Sequence, residues 1–302
     1  MDTNLNDFVE EQWEKEEREK FSFYSCPACE TEFFARKELK RCIYCGRDML
    51  SGCDSQSVKP DGIIPFSVDK EKAVRAFKDF CKGKKLLPKS LKEADFERGT
   101  QKVYIPVWVL NGKGKSTAVF DAAKGESFKE GKTECIRKDF YSLKREGEVS
   151  FEDFIVKNEK LFGFLDNIKP YYFAEAKDFD TRYIEDAYVY KFDRDIDEAA
   201  QKVRSAVEKI LADEYKKDIS DFSHAELDKI SVSFDSQYLE YILVSVWLMN
   251  FKYDGAVHSF AVNGQTGSFA GKAPVGKSEF LKYFLLVFVI IAVIGIIIAM
   301  IS

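Results

Sequence analysis

Four of the seven cysteines fall in two CxxC pairs. Residues 26–45 read CPACETEFFARKELKRCIYC, a C-x2-C-x12-C-x2-C spacing. Each pair can form a tight knuckle that aims two thiolates at one ion, and Gly46 after the last cysteine supplies a left-handed turn. Four thiolates in a closed set suit tetrahedral zinc with no coordination position left for catalysis. Cys26, Cys29, Cys42 and Cys45 are therefore the expected ligands of one structural zinc. Phe33 and Phe34 between the knuckles suffice for a small hairpin but not for a core, so metal binding would supply the folding energy. A redox dithiol pair or a rubredoxin-like iron site shares the knuckle, but neither comes with a partner motif here.

Arg36, Lys37, Lys40, Arg41 and Arg47 cluster on the same short stretch among aromatic residues. They form a candidate contact surface for nucleic acid or anionic lipid, against the plainer reading of a solvated face. Residues 271–278, GKAPVGKS, spell the phosphate-cradling G-x4-G-K-S loop. That loop needs further strands to carry a magnesium-binding Asp, and the residues after Ser278 are almost wholly apolar. The stretch is read as a lysine-bearing juxtamembrane segment, and the similar GKGKS at 112–116 as a hairpin turn. His224 and His258 accompany no nucleophile motif, His258 being expected on a sheet surface. The carboxylates are diffuse, the sequence establishes no charged setting for Cys81 and Cys135, and Cys53 in the polar linker is read as incidental rather than as a fifth ligand. No catalytic residue, small-molecule substrate or enzyme activity is expected.

Around these motifs the pattern divides into eight parts. Residues 1–20 carry Leu5, Phe8, Val9 and Trp13 at the spacing of a short amphipathic helix. The zinc ribbon covers 21–50 and a polar linker 51–61. Residues 62–127 and 184–272 read as two diverged copies of a strand-helix-strand-strand unit, joined by a connecting segment at 128–183. In both, a strand ending in Phe (Phe66, Phe192) leads into a helix with a matched Ala (Ala73, Ala199). A later strand carries Val-Trp-x-x-Asn, as Val107, Trp108 and Asn111 and again as Val246, Trp247 and Asn250. Such units imply an α+β fold with helices on one face of a sheet. Trp108 and Trp247 are expected as matched core residues rather than the lining of a cleft. Asp254-Gly255 and Asn263-Gly264 are hairpin signals, and Pro106 places its strand at an edge or a bulge. In the connecting segment, FEDFIVKNEKLFGFLDNI has helical periodicity.

A juxtamembrane linker at 273–282 then precedes an uncharged stretch, Tyr283–Ile301. Its 19 residues would rise roughly 28 Å as a helix, close to the ~30 Å hydrocarbon core of a bilayer. Lys272, Lys277 and Lys282 precede it, and no basic residue comes after it, so the positive-inside bias keeps the N-terminal portion in the cytoplasm. An odd, sparse cysteine set and an acidic N-terminus without signal-peptide layout point to the same reducing compartment. The chain has 302 residues, 45% of them apolar and 32% charged, enough for real cores. A net charge of −5 argues against a body dominated by nucleic-acid binding.

The combination of CPAC…CIYCG, IIPF, YIPVW and VNGQTGSFAG resembles the uncharacterised bacterial zinc-ribbon proteins of the transcription-factor-IIB type. These often end in membrane helices and carry names taken from primosomal helicase zinc knuckles. The likeness runs from Cys26 to about Pro274 and is most distinctive at Val262-Asn263-Gly264-Gln265-Thr266-Gly267. It implies the same four cysteine ligands and a fold of this kind, but the sequence carries no helicase motor to match. The leading expectation is a membrane-tethered zinc protein acting through protein interaction or scaffolding. The alternative is a membrane-anchored nucleic-acid binder using the basic ribbon, possible but not favoured.

Overall fold

The computed structural model describes residues 13–48, 50–51, 58–130, 133–157, 159–191 and 196–301. Along the chain the helices and strands are α1 (Lys15–Arg18), β1 (Ser22–Ser25), β2 (Glu32–Ala35), β3 (Leu50–Ser51), β4 (Gly62–Ile63), α2 (Lys70–Cys81), α3 (Lys89–Lys92), α4 (Phe96–Gly99), β5 (Thr100–Glu130) and β6 (Thr133–Val156). Next come α5 (Glu159–Phe162), β7 (Lys177–Asp178), β8 (Tyr188–Tyr190), α6 (Ile196–Lys217), β9 (His224–Tyr253), β10 (Ala256–Asn263), β11 (Phe269–Gly271) and α7 (Lys277–Ile301). The architecture is mixed α+β. Two compact units divide it: one draws on residues 107–157 and 196–241, the other on 13–106, 159–191 and 242–301.

The second unit carries the four paired cysteines, Cys26, Cys29, Cys42 and Cys45. Its sheet runs in the order β11-β10-β9-β5-β8-β2-β1-β3, with β4 beside β9 and β7 beside β4. Helix α2 begins where the Asp69 carboxylate accepts the Lys72 amide at 2.7 Å, the expected capping geometry. It buries Ala73, Val74 and Phe77 against Trp247, Met249, Phe260 and Val262 of β9 and β10. A second cluster joins Phe21, Phe23 and Phe34 to Ile63, Tyr104, Val189 and Leu243. Trp13 packs at its edge, with ring centroids 5.5 Å from Phe34 and 5.4 Å from Phe179.

Two short parallel pairings in this unit mirror each other. Gly62 and Ile63 of β4 pair with Ile242 and Leu243 of β9. Tyr188 and Val189 of β8 pair with Val103 and Tyr104 of β5. The spacing that matches Phe66 with Phe192 also matches Gly62–Ile63 with Tyr188–Val189. The spacing that matches Trp108 with Trp247 likewise matches Val103–Tyr104 with Ile242–Leu243. The first strand of each segment thus pairs with the long strand of the other, at corresponding rungs.

The VNGQTG stretch is accounted for residue by residue. Asn263 is fully buried. Its Nδ2 donates to the carbonyls of Ile168 (2.8 Å) and Pro170 (2.9 Å), and its Oδ1 accepts the amides of Gln265 (2.8 Å) and Thr266 (3.1 Å). All four positions of the amide are therefore used. At Gly264 a Cβ would stand 2.6 Å from Ser245 Oγ and 2.7 Å from Phe66 Cδ1, so only glycine fits. Gln265 Nε2 donates to the Tyr172 carbonyl and the Glu175 carboxylate. Gly267 adopts φ 83°, and its amide returns to the Asn263 carbonyl. The motif is a structural clasp.

The other unit is built on the β5–β6 hairpin, with Ala118, Phe120 and Ile219 at the centre of a core cluster. Tyr215 on α6 reaches Ser116 Oγ at 2.6 Å. Trp108 is buried here and Trp247 in the cysteine-bearing unit, so both are core residues.

Several sequence expectations need correction. GKGKS at 112–116 is not a turn: it runs through the middle of β5, paired with β6. Gly114 serves close approach, since a Cβ there would meet the Ser233 carbonyl. FEDFIV is not helical but continues β6 to Val156. A register shift between Leu110 and Gly112 accompanies Asp153 at φ 51°, whose amide donates to Asn111 Oδ1 at 2.8 Å. A bulge of this kind changes which side chains share a face and so mimics helical spacing. Helix begins only at Glu159 and gives way to a 3-10 turn over Gly163–Ile168. Of the two readings of the Pro106 strand, the edge fails because β5 lies between β9 and β8, while the bulge is met by the register shift at Leu110/Gly112 on the same strand. Pro106 falls between the rungs to β8, which end at Tyr104, and those to β6, which start at Trp108. The linker at 273–282 is helical from Lys277, with Pro274 and Gly276 buried. Leu5, Phe8, Val9, Cys53 and Phe192 lie outside the described residues.

Candidate metal centre

The two CxxC segments fold into matching knuckles. Cys26 N–H donates to the Thr31 carbonyl and Glu30 N–H to the Cys26 carbonyl. Cys42 N–H donates to Arg47 and Gly46 N–H to Cys42 in the same pattern. Both knuckles close through a left-handed residue, Gly46 at φ 72° and Glu30 at φ 58°. The sequence announces the glycine turn but not the glutamate one, because a side chain there works against the backbone preference.

Their sulfur atoms meet. All four Sγ atoms lie within 4.8 Å of one another. Cys26 to Cys45 is 3.5 Å and Cys29 to Cys42 is 3.7 Å, and all four are free thiols. A tetrahedron with metal–sulfur bonds of about 2.3 Å has sulfur–sulfur edges of about 3.8 Å. The cluster matches that size. Amides of Tyr44 and Cys45 point at Cys42 Sγ from 3.4 and 3.5 Å, and Thr31 Oγ1 lies 2.9 Å from Cys29 Sγ.

The electrostatics of the bare thiols favour a cation. Burial pushes the Cys42 thiol far above its ordinary range despite the two amides, and raises Cys29 as well. At Cys26 burial also opposes ionisation, but the Ala28 and Cys29 amides outweigh it and bring the thiol down to about 7. Four thiolates in such a space repel one another unless a dication neutralises them. The donor set therefore fits zinc.

The sheet holds the centre. Strands β1 and β2 pair from Ser22↔Ala35 to Ser25↔Glu32, and β2 pairs onward with β8 at Phe33↔Tyr190 and Phe34↔Val189. Tyr190 is fully buried, its ring 4.4 Å from Phe33 and 4.8 Å from Phe162. Burial, then the nearby Cys42 sulfur, raises its phenol. Asn250 Nδ2 donates to the Ile43 carbonyl at 2.9 Å, while its Oδ1 accepts Ser259 Oγ at 2.7 Å. Asn250 and Tyr190 are supports that cysteine spacing could not announce.

The basic residues are not one free patch. Arg36 pairs with Glu185 at 2.6 Å and Arg41 lies 3.8 Å from Asp48. Lys37, Lys40 and Arg47 are exposed, with Glu38 exposed among them. The phosphate-loop motif is filled by protein groups. Lys277 Nζ binds Asp254 at 2.8 Å, its amide donates to Tyr253 Oη, and the Gly276 amide donates to the Leu86 carbonyl. His258 is half-buried on β10, Cys81 half-buried at the end of α2, and Cys135 lies in β6.

At the other end, Lys277–Met300 is long and apolar enough to cross a membrane: its most apolar 18-residue stretch has mean hydropathy 3.1, and none of that stretch is buried. An apolar helix of a soluble core would be covered.

The chain is distantly homologous to the uncharacterized protein YdjG of Bacillus subtilis (strain 168). The two are 25% identical over 239 residues, 78% of this chain and 69% of that protein. No family model matches the chain, and no solved structure matches it.

Proposed function

We propose that the chain is a non-enzymatic, membrane-tethered zinc protein, whose α+β body acts as a protein-interaction or scaffolding module. One observation carries the metal half: four free thiols within 4.8 Å of one another, on matched knuckles. Zinc closed by four cysteines keeps no open position, so its role is to hold β1 and β2 on β8. The bare apolar helix supports a single span over residues 283–301, with the lysines ahead of it keeping ribbon and body cytoplasmic. The reciprocal rungs β4–β9 and β8–β5 support a duplicated body. These features also fit the zinc-ribbon family of the transcription-factor-IIB type.

A nucleic-acid role finds less support, since Arg36 and Arg41 already face carboxylates. The discriminating experiment uses the full chain in mild detergent. Alkaline washing should leave it in the membrane fraction, and mixed RNA or DNA should not shift it on a gel at low salt. A shift that weakens steeply with salt would replace the scaffolding reading by the nucleic-acid one. Loss from the membrane on washing would remove the tether.

A further inference from the structure

The base of α7 does not emerge from a loose tail. Pro274 and Gly276 are buried, and Gly276 N–H donates to the Leu86 carbonyl at 2.8 Å. A Cβ on Gly276 would stand 2.9 Å from Pro88 Cα. The segment that meets the helix base here, residues 82–92, reads KGKKLLPKSLK. Lys85 Nζ lies 5.9 Å from the ring centroid of Tyr283, the first residue of the uncharged stretch. A remote part of the sequence thus adds Lys82, Lys84, Lys85, Lys89 and Lys92 to Lys272, Lys277 and Lys282, and all eight are exposed.

Few of these charges are neutralised. Asp254 pairs with Lys277 and Glu93 with Lys89, while Glu279 accepts the Ser278 hydroxyl. Lys282 and Lys92 lie within electrostatic reach of Glu279, whose carboxyl is lowered first by its Ser278 bond. Lys82, Lys84, Lys85 and Lys272 form no ion pair among the described residues. Between the lysines Leu86, Val275, Phe280 and Leu281 are exposed. Lysines mixed with bare apolar side chains are the composition of a protein surface at a headgroup layer.

We propose that residues 82–92 and the base of α7 form one docking surface for anionic lipid headgroups, fixing which face of this unit lies on the bilayer. The inference rests on reading α7 as a membrane span. The apolar side chains within the patch, and its place beside an uncovered apolar helix, point to lipid rather than to a soluble polyanion.

The full chain would be placed in nanodiscs of phosphatidylcholine alone or with phosphatidylglycerol, and backbone hydrogen exchange read by mass spectrometry. Each lysine near an anionic surface is worth about a fivefold change in population. Amides of 82–92 should therefore exchange roughly tenfold or more slowly in the anionic discs, with the change within this unit confined to that segment and the base of α7. The K82E/K84E/K85E variant should still enter both discs but lose the difference. Equal exchange in the two lipids would overturn the docking surface alone. So would slowing produced in phosphatidylcholine discs by glycerol phosphate or single-stranded RNA. A chain that enters neither disc would overturn the span reading and the docking surface with it.

Discussion

Replacing Asn263 by alanine removes four hydrogen bonds made by one fully buried side chain. A neutral bond contributes about 1 kcal/mol, and a buried group left unpaired costs about 1–3 kcal/mol. The Ile168 carbonyl is buried where it meets Asn263, whereas the other three bonds lie nearer the surface and their orphaned groups gain some water. The loss should then be about 3–4 kcal/mol. For a unit of this size each kcal/mol lowers Tm by about 2–4 °C, so N263A should melt about 6–16 °C below the parent. The assay is thermal unfolding of the full chain in detergent, monitored by tryptophan fluorescence. N263D keeps both acceptor bonds but turns a carboxylate toward the two carbonyls, so it should fall at least as far. A drop below about 2 °C for either variant would refute the clasp.

Three other outcomes rest on equally local contacts. G264A forces a Cβ against Ser245 and Phe66 and should cost about 2–3 kcal/mol, whereas G255A, at φ 80° with nothing near, should cost about 1 kcal/mol from the backbone alone; their melting temperatures test the order. C26S or C42S should abolish zinc retention and lower Tm, and a variant that keeps a full equivalent of metal would contradict the ligand assignment. K277A breaks an exposed pair with Asp254, and both Tm and background nucleotide binding should stay where they were; lost nucleotide binding would revive the phosphate-loop reading.

The local parts of this protein could be read from sequence because their causes are local. Cysteine spacing announces a knuckle, glycine at 46 its turn, and nineteen uncharged residues a bare helix. The Asp254-Gly255 turn formed as its dipeptide implies, with both residues at positive φ. The features that stayed hidden depend on distant partners. Glycines in GKGKS look like a turn until a strand more than a hundred residues on approaches Gly114. Phe151, Phe154 and Ile155 look helical until a bulge opposite Asn111 shifts their faces. The cysteine hairpin could be taken for a free-standing module, because nothing near Phe33 signals Tyr190 or Asn250. The matched Val-Trp-x-x-Asn strands marked Asn111 and Asn250 together, yet one receives a bulge amide and the other holds a knuckle.

The central claim is a zinc ion closed by four cysteines inside this sheet. X-ray absorption at the zinc edge, on the full chain purified under reducing conditions, addresses it directly. The account predicts about one zinc per chain with four sulfur neighbours at about 2.3 Å. Iron in its place, nitrogen or oxygen among the ligands, or a metal-free reduced protein that keeps its fold would contradict it.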